Sequence, residues 1–278
     1  MPDPYEKRLL RVLDYIHDNP AGDLSLDQLA DVAAMSRFHW HRVFHAMTGE
    51  TCAQATRRIR LHRAACWLVQ TDQPVDEIAK KVGIPNRQSF ARIFKEGFAM
   101  TPGQFRKSGQ LRPQTPKKDR KDCPMFDVTL KEAPARHMIA LSHKGPYLEI
   151  GRAFEKLGAI AGSRGLWPQV EAMMGLYYDD PNAVAEKDLR SHAGLAVRPG
   201  VETPEGLEEI EIAAGKLAVL QFKGPYSGLK AAYDYLYGEW LPKSGEEPRD
   251  APAMEIYLNN PQDTPPEELR TDICLPLI

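Results

Sequence analysis

Apolar residues recur at helical spacing through the first hundred positions and shift to shorter strand-like runs beyond about residue 124. Leu9, Leu10, Val12, Leu13 and Ile16 form one stripe, which Asn19-Pro20-Ala21-Gly22 ends. Ser25 opens SLDQLADVAAMS, where Leu26, Leu29, Ala30 and Ala33 keep helical spacing and Ser25 with Gln28 fits a capping box. A turn at Ala34-Met35 and a new helix from Ser36 predict a helix-turn-helix. The pattern then recurs: LDQLADVAAMSRFHWHRVF is echoed by VDEIAKKVGIPNRQSFARIF, with Leu29-Ala30 matching Ile78-Ala79 and Arg42-Val43-Phe44 matching Arg92-Ile93-Phe94. TRRIRLHRAACWLVQ between them reads as a connecting helix of ~14 residues, hence ~21 Å, with Ile59, Leu61, Ala65, Leu68 and Val69 inward and arginines outward.

The second half also repeats itself. LSHKGPY matches LQFKGPY, MMGLYYDDP matches AMEIYLNNP, and LRSHAGLAV matches LRTDICLPL, at offsets of 79 and then 80 residues. In each copy an apolar strand (137–142; 217–222) runs into Gly-Pro. A helix follows, carrying Ile150, Ala153, Phe154 and Leu157 in one copy and Leu229, Ala232, Tyr233 and Leu236 in the other. Two further strands complete each module. The expected fold is therefore an all-α N-terminal domain with two helix-turn-helix motifs, followed by an α+β domain of two duplicated strand-helix-strand-strand modules. An open antiparallel sheet with a helix from each module on one face buries both stripes. The boundaries read as 1–107, a linker at 108–123, and 124–278 with modules at about 124–200 and 206–278.

Charge sharpens the division. Residues 1–122 hold 21 Lys+Arg against 14 Asp+Glu, a net of +7, and residues 123–278 hold 15 against 24, a net of −9. A basic half suits a polyanion and an acidic half does not. No stretch approaches the ~20 apolar residues of a membrane span, and no signal peptide is evident, so a cytoplasmic protein is expected. Cys52, Cys66, Cys123 and Cys274 are scattered without a CxxC pair and fit reduced thiols.

Through SRFHWHRVFHAMTGE, RIRLHRAACWL, PVDEIAKKVG and SFARIFKEGFAMTPGQFR, residues 5–107 resemble an AraC/XylS-type DNA-binding domain. Ile84 and Ala99 depart from that family, which usually has Phe and Gly there. Periodicity puts Trp40, Val43, Phe44 and Met47 inward and Arg37, Phe38, His41, Arg42 and His45 outward; in the second reading head Phe90, Ile93 and Phe94 go in, and Arg87, Gln88, Ala91, Arg92 and Lys95 out. The resemblance implies base contacts at Phe38, His41, Arg42, Arg87, Gln88 and Arg92, with phosphate or solvent facing Arg37, His45 and Lys95. His39, His41 and His45 have no acidic or Cys ligand nearby in sequence, so no metal site is expected.

KGPY, YGEWLPKSG, PAMEIYLNNP and LRTDICLPL make residues 125–278 resemble a GyrI-like small-molecule-binding domain. The resemblance implies an aromatic-lined groove at the pseudo-twofold between modules, with a glutamate for cationic lipophiles, here Glu255. Aligning the copies puts Glu255 on Gly175, which suggests an acidic wall facing open space. Met254, Ile256 and Leu258 share one strand face, expected toward the helices, and Glu255 and Tyr257 share the other. Tyr147, Tyr177, Tyr226, Tyr257, Trp167 and Trp240 are the aromatics expected near Glu255. Tyr147 and Tyr226 serve equally well as staples of the strand-to-helix corner, and most of Tyr233, Tyr235 and Tyr237 are expected in core or surface.

The resulting expectation is a non-enzymatic regulator with no cofactor. Its partners are double-stranded promoter DNA, a lipophilic small-molecule effector, for which the resemblance also offers cationic lipophiles, and RNA polymerase, with no membrane. A small-molecule hydrolase, with Glu orienting water and Tyr donating a proton, or a module sequestering a toxin or partner protein, remain alternatives for the C-terminal domain.

Overall fold

The computed structural model describes residues 4–109 and 124–278. Of the expected linker only Ser108 and Gly109 fall among them, and Cys123 lies outside them. The described residues form two compact units: 4–34 with 49–109, and 35–48 with 124–278. Residues 35–48, which the sequence reading gave to the N-terminal domain, thus belong with the second unit.

In the first unit α1 (Pro4–Asp18) and α2 (Leu26–Ala33) come first. The Ser25 hydroxyl accepts the Gln28 N–H at 3.3 Å, satisfying one of the amides left free at a helix start. After α3 (Arg37–Thr48), a member of the second unit, α4 spans Cys52–Gln70. Thr51 and Gln54 cap it reciprocally, a signal the sequence reading passed over, so α4 is 19 residues long and about 28 Å. α5 (Val75–Lys81), α6 (Arg87–Phe98) and α7 (Pro102–Ser108) fold against it. Leu61, Ala65, Leu68, Ile78, Phe90, Phe94 and Phe105 form their common core. Gly83 has φ +72, and a Cβ there would stand 2.6 Å from the Pro20 carbonyl oxygen, so only glycine fits between α5 and the α1–α2 turn.

The second unit is built on an eight-stranded antiparallel sheet. Its strands are β1 (Val128–Ala133), β2 (Arg136–Lys144), β3 (Val170–Tyr177), β4 (Arg190–Val197), β5 (Glu208–Ile212), β6 (Gly215–Lys223), β7 (Ala253–Tyr257) and β8 (Arg270–Pro276). Helix α8 (Gly151–Ser163) joins β2 to β3; α9 (Leu229–Tyr235), a π-helical stretch at Leu236–Trp240 and α10 (Leu241–Ser244) join β6 to β7. The spatial order is β1-β6-β8-β7-β3-β4-β2-β5, which is regained, read from the other end, when β1–β4 are exchanged with β5–β8. Edge strands β1 and β5 were not foreseen. Their VTLKEA and EEIEI segments are short and carry exposed charges, as edge strands commonly do, and each pairs with a strand from the other four in chain order, β1 with β6 and β5 with β2.

The curled sheet has two different faces. On one, Met138, Met174, Leu176, Val219, Met254 and Cys274 close over a core of their own. The other carries the helices: Leu157 and Ala161 of α8 pack on Ile139, Leu195 and Val197. The expected orientation of β7 is therefore inverted. Met254 faces away from the helices, and Glu255 and Tyr257 face toward them, because the sheet's far side is itself an apolar interior.

Candidate functional site

At the centre of the sheet β3 lies beside β7, with Gly175 directly opposite Glu255. Above this pair, between α8 and α9, is a cavity of about 980 Å³. Met173, Tyr177, Glu255 and Tyr257 form its floor; Phe154 and Gly158 of α8 and Tyr233 of α9 are in its walls; Tyr147, Tyr226 and Trp167 also line it. Trp167 is 45% exposed, whereas Glu255 is 3% exposed. Acidic Glu155, Asp180, Glu186 and Asp234 also line it, against basic Arg42 and Lys230, and Lys230 is paired with Asp234 at 2.8 Å. The lining thus favours positive charge over negative.

Glu255 is held by phenols. Tyr233 Oη donates to Oε1 at 3.0 Å and Tyr257 Oη to Oε2 at 3.0 Å, while Tyr177 Oη, 2.6 Å from Tyr257 Oη, donates to it in turn. Burial pushes the Glu255 carboxyl above its ordinary pKa, opposed by the hydroxyls of Tyr233 and Tyr257 and by the charge of Arg42. Burial and then the Glu255 charge raise Tyr177 and Tyr257 well above the usual phenol value, so both remain donors. Such a carboxylate, surrounded by ring faces and supplied with only neutral donors at its two oxygens, is suited to receive a cation.

The residues foreseen from sequence divide clearly. Glu255, Tyr257, Tyr177, Tyr147, Tyr226 and Trp167 line the cavity together. Trp240, at the end of the π-helical stretch, is not among the lining residues. Gly175 is not either, and the open space expected above it is filled: a Cβ there would meet Tyr177 Cε2 at 2.8 Å and Tyr257 Oη at 2.9 Å. Tyr147 also staples the corner, its hydroxyl accepting the Asp179 N–H at 2.9 Å and lying 3.0 Å from the Asp179 carbonyl oxygen. Tyr233, Tyr237 and Phe154 were missed as lining residues. The i, i+4 spacing of Tyr233 and Tyr237, which stack at 6.4 Å, was the available signal, and Tyr235 turns away onto Phe126 at 5.7 Å.

Among the residues expected to face DNA, Arg87, Gln88, Arg92 and Lys95 are exposed on α6. Arg92 pairs with Glu96 at 2.8 Å and Arg87 with Asp76 at 3.4 Å, exposed ion pairs that hold the side chains weakly. Arg37, on α3, is exposed, and its guanidinium lies 5.0 Å from the Phe38 ring. Phe38 is half-buried against Tyr178 at 6.3 Å, and His41 is half-buried. Arg42, expected outward, is buried, because within the second unit its guanidinium finds ring faces and a carbonyl oxygen. His39 is fully buried, and burial, with the nearby Arg42 charge, brings its imidazole down to about 3. It is therefore neutral: Nε2–H donates to the Arg249 carbonyl at 3.0 Å and Nδ1 accepts from Tyr237 Oη at 2.9 Å.

Residues 126–278 match the model of the GyrI-like small molecule binding domain, and residues 29–108 match that of a helix-turn-helix domain. The bifunctional transcriptional activator/DNA repair enzyme AdaA of Bacillus subtilis is 34% identical over 100 residues, 36% of this chain and 47% of that protein. The multiple antibiotic resistance protein MarA of Escherichia coli is 30% identical over 95 residues, 34% of this chain and 75% of MarA. AdaA is thus spanned over about half its length. The C-terminal domain of EcmrR superposes on 56% of this chain and 99% of its own, with 21% identity and a TM-score of 0.46. With the family model covering more than half of its residues, the chain belongs to the family of the GyrI-like small molecule binding domain, here joined to an AraC-type helix-turn-helix region.

Proposed function

We propose that the chain is a DNA-binding transcription regulator whose second unit takes a lipophilic cationic effector into the cavity above β3 and β7. The observation that carries this reading is Glu255, a buried carboxylate held by neutral phenols in an aromatic-walled cavity of about 980 Å³. The effector's charge offsets the desolvation of the carboxylate, and its apolar surface covers Phe154, Met173 and the tyrosine faces. Promoter DNA is read by Arg87, Gln88 and Arg92 of α6 and by Phe38 and His41 of α3, with Lys95 and Arg37 on phosphate. RNA polymerase is the partner at the promoter, the setting is the cytoplasm, and the second unit acts by binding rather than turnover. The palindromic strand order supports two duplicated modules, which would make the cavity an inter-module site with Glu255 on the floor of one module and Gly175 opposite it in the other.

Calorimetric titration of the full chain with tetraphenylphosphonium, a compact lipophilic cation, tests the effector role. Wild-type binding that falls at least about tenfold in Glu255→Gln is expected; equal affinity of the two, or no binding by either, overturns it.

A further inference from the structure

Arg42 reaches the effector cavity from α3. Its guanidinium carbon lies 4.7 Å from the centre of the Tyr233 ring and 5.5 Å from that of Tyr237, and Nη2 donates to the Asp179 carbonyl at 2.9 Å. The Tyr233 ring is thus shared: its face carries the guanidinium and its hydroxyl donates to Glu255 at 3.0 Å. Arginine cannot discharge at any physiological pH, so a permanent positive charge already occupies the aromatic wall whose Tyr233 hydroxyl holds Glu255.

The helix bearing it has a shaped seat. A Cβ on Gly238 would stand 2.9 Å from Ala46 Cβ, so the absence of a side chain there lets α3 approach. His39 bonds Tyr237 and the Arg249 carbonyl, and Ser36 Oγ donates to Asp250 at 2.7 Å. Arg42 stands on the same helix but differs from these contacts in kind, since its partners are the surfaces an aromatic-seeking cation would use.

Building on the effector reading above, we infer that Arg42 is a resident cation of the cavity, and that a cationic effector binds by displacing its guanidinium from the face of Tyr233. Two positive charges beside Glu255, itself 3% exposed, repel, and both need the same ring face. Selection follows directly. A ligand must bring both a positive charge and enough apolar surface to replace the guanidinium, whereas an uncharged ligand leaves Arg42 where it is. Displacement also returns to solvent a side chain that the family resemblance assigns to a base edge, which ties cavity occupancy to what α3 presents.

The full-length wild type, Arg42→Gln, Arg42→Lys and Glu255→Gln proteins are titrated with tetraphenylphosphonium and with uncharged triphenylphosphine oxide. Arg42→Gln removes the competitor and is expected to tighten tetraphenylphosphonium about tenfold while changing triphenylphosphine oxide less than about twofold. Arg42→Lys keeps the charge and is expected to stay within about threefold of wild type. Hydrogen exchange on the wild type is expected to show α3 amides losing protection on saturation with tetraphenylphosphonium. Affinity unchanged or weakened in Arg42→Gln, or α3 protection unchanged at saturation, overturns the inference. Binding that is lost in Glu255→Gln yet unaltered in Arg42→Gln removes the role of Arg42 and leaves the effector reading standing; binding by none of the proteins removes both.

Discussion

Tyr177 and Tyr257 meet hydroxyl to hydroxyl at 2.6 Å, over the backbone of Gly175. The contact exists only because position 175 has no side chain. Gly175→Ala puts a methyl 2.8 Å from the Tyr177 ring and 2.9 Å from the Tyr257 hydroxyl, so both side chains must shift, because β3 is held between β4 and β7. Urea unfolding is expected to show a loss of about 1–3 kcal/mol, and calorimetry a weaker tetraphenylphosphonium affinity as the Tyr257–Glu255 bond is pushed out of line.

The raised carboxyl of Glu255 has a pH signature. Its folded-state pKa lies above the ordinary 4.5, so between those two values the folded protein holds the proton that the unfolded chain releases. Stability contributed by this group is therefore present below pH 4.5 and is lost as pH rises through the folded pKa. Cation affinity runs the opposite way, strengthening over the same interval as the carboxylate forms. Titrations at a series of pH values above 4.5 are expected to show this rise in wild type and a flat profile in Glu255→Gln.

On α6, base-reading and phosphate-holding side chains are expected to separate. Arg87→Ala and Arg92→Ala each weaken binding to a selected promoter fragment by about tenfold and relax preference at one position, since a bidentate base contact discriminates by about 1–3 kcal/mol. Lys95→Ala weakens all sequences alike and makes the salt dependence shallower by about one unit of slope. Fluorescence anisotropy against promoter and scrambled duplexes at several salt concentrations checks both.

Ala99 closes α6 in the left-handed region, φ 57, where an L side chain is strained. It is one of the two positions at which the sequence departs from the AraC/XylS pattern, and the family's usual glycine relieves that strain. Ala99→Gly is expected to gain about 1 kcal/mol after the larger chain entropy of glycine is set against it, raising the urea midpoint without altering the slope.

Helical stripes, caps and the long internal repeat were legible because each is written locally. The repeat even identified the cross-strand pair: Gly175 and Glu255, aligned by an 80-residue offset, face each other across β3 and β7. What failed was non-local. The expectation that Met254 faces the helices assumed one buried face, but this sheet curls over a second core, and alternation alone does not say which apolar face the helices cover. Arg42 reads as an exposed helix position, since nothing in its neighbours announces Tyr233 and Tyr237, nearly two hundred residues away. The edge strands β1 and β5 were too short and too charged to stand out before their partners were known.

Those edge strands set a timetable for synthesis. β1 pairs with β6, five strands later in the chain, and β8, which lies between β6 and β7, is the last of the eight to leave the ribosome. Until Arg270–Pro276 has emerged, β1 and β6 have no hydrogen-bonded link to the rest of the sheet, and the cavity floor at β7 lacks one flank. Pairings so distant in sequence are slow to close and leave strand edges open meanwhile. Helices α4 to α7 of the first unit need no such wait, whereas α3, made early, finds its seat in the second unit only after the helices that follow β6 have emerged.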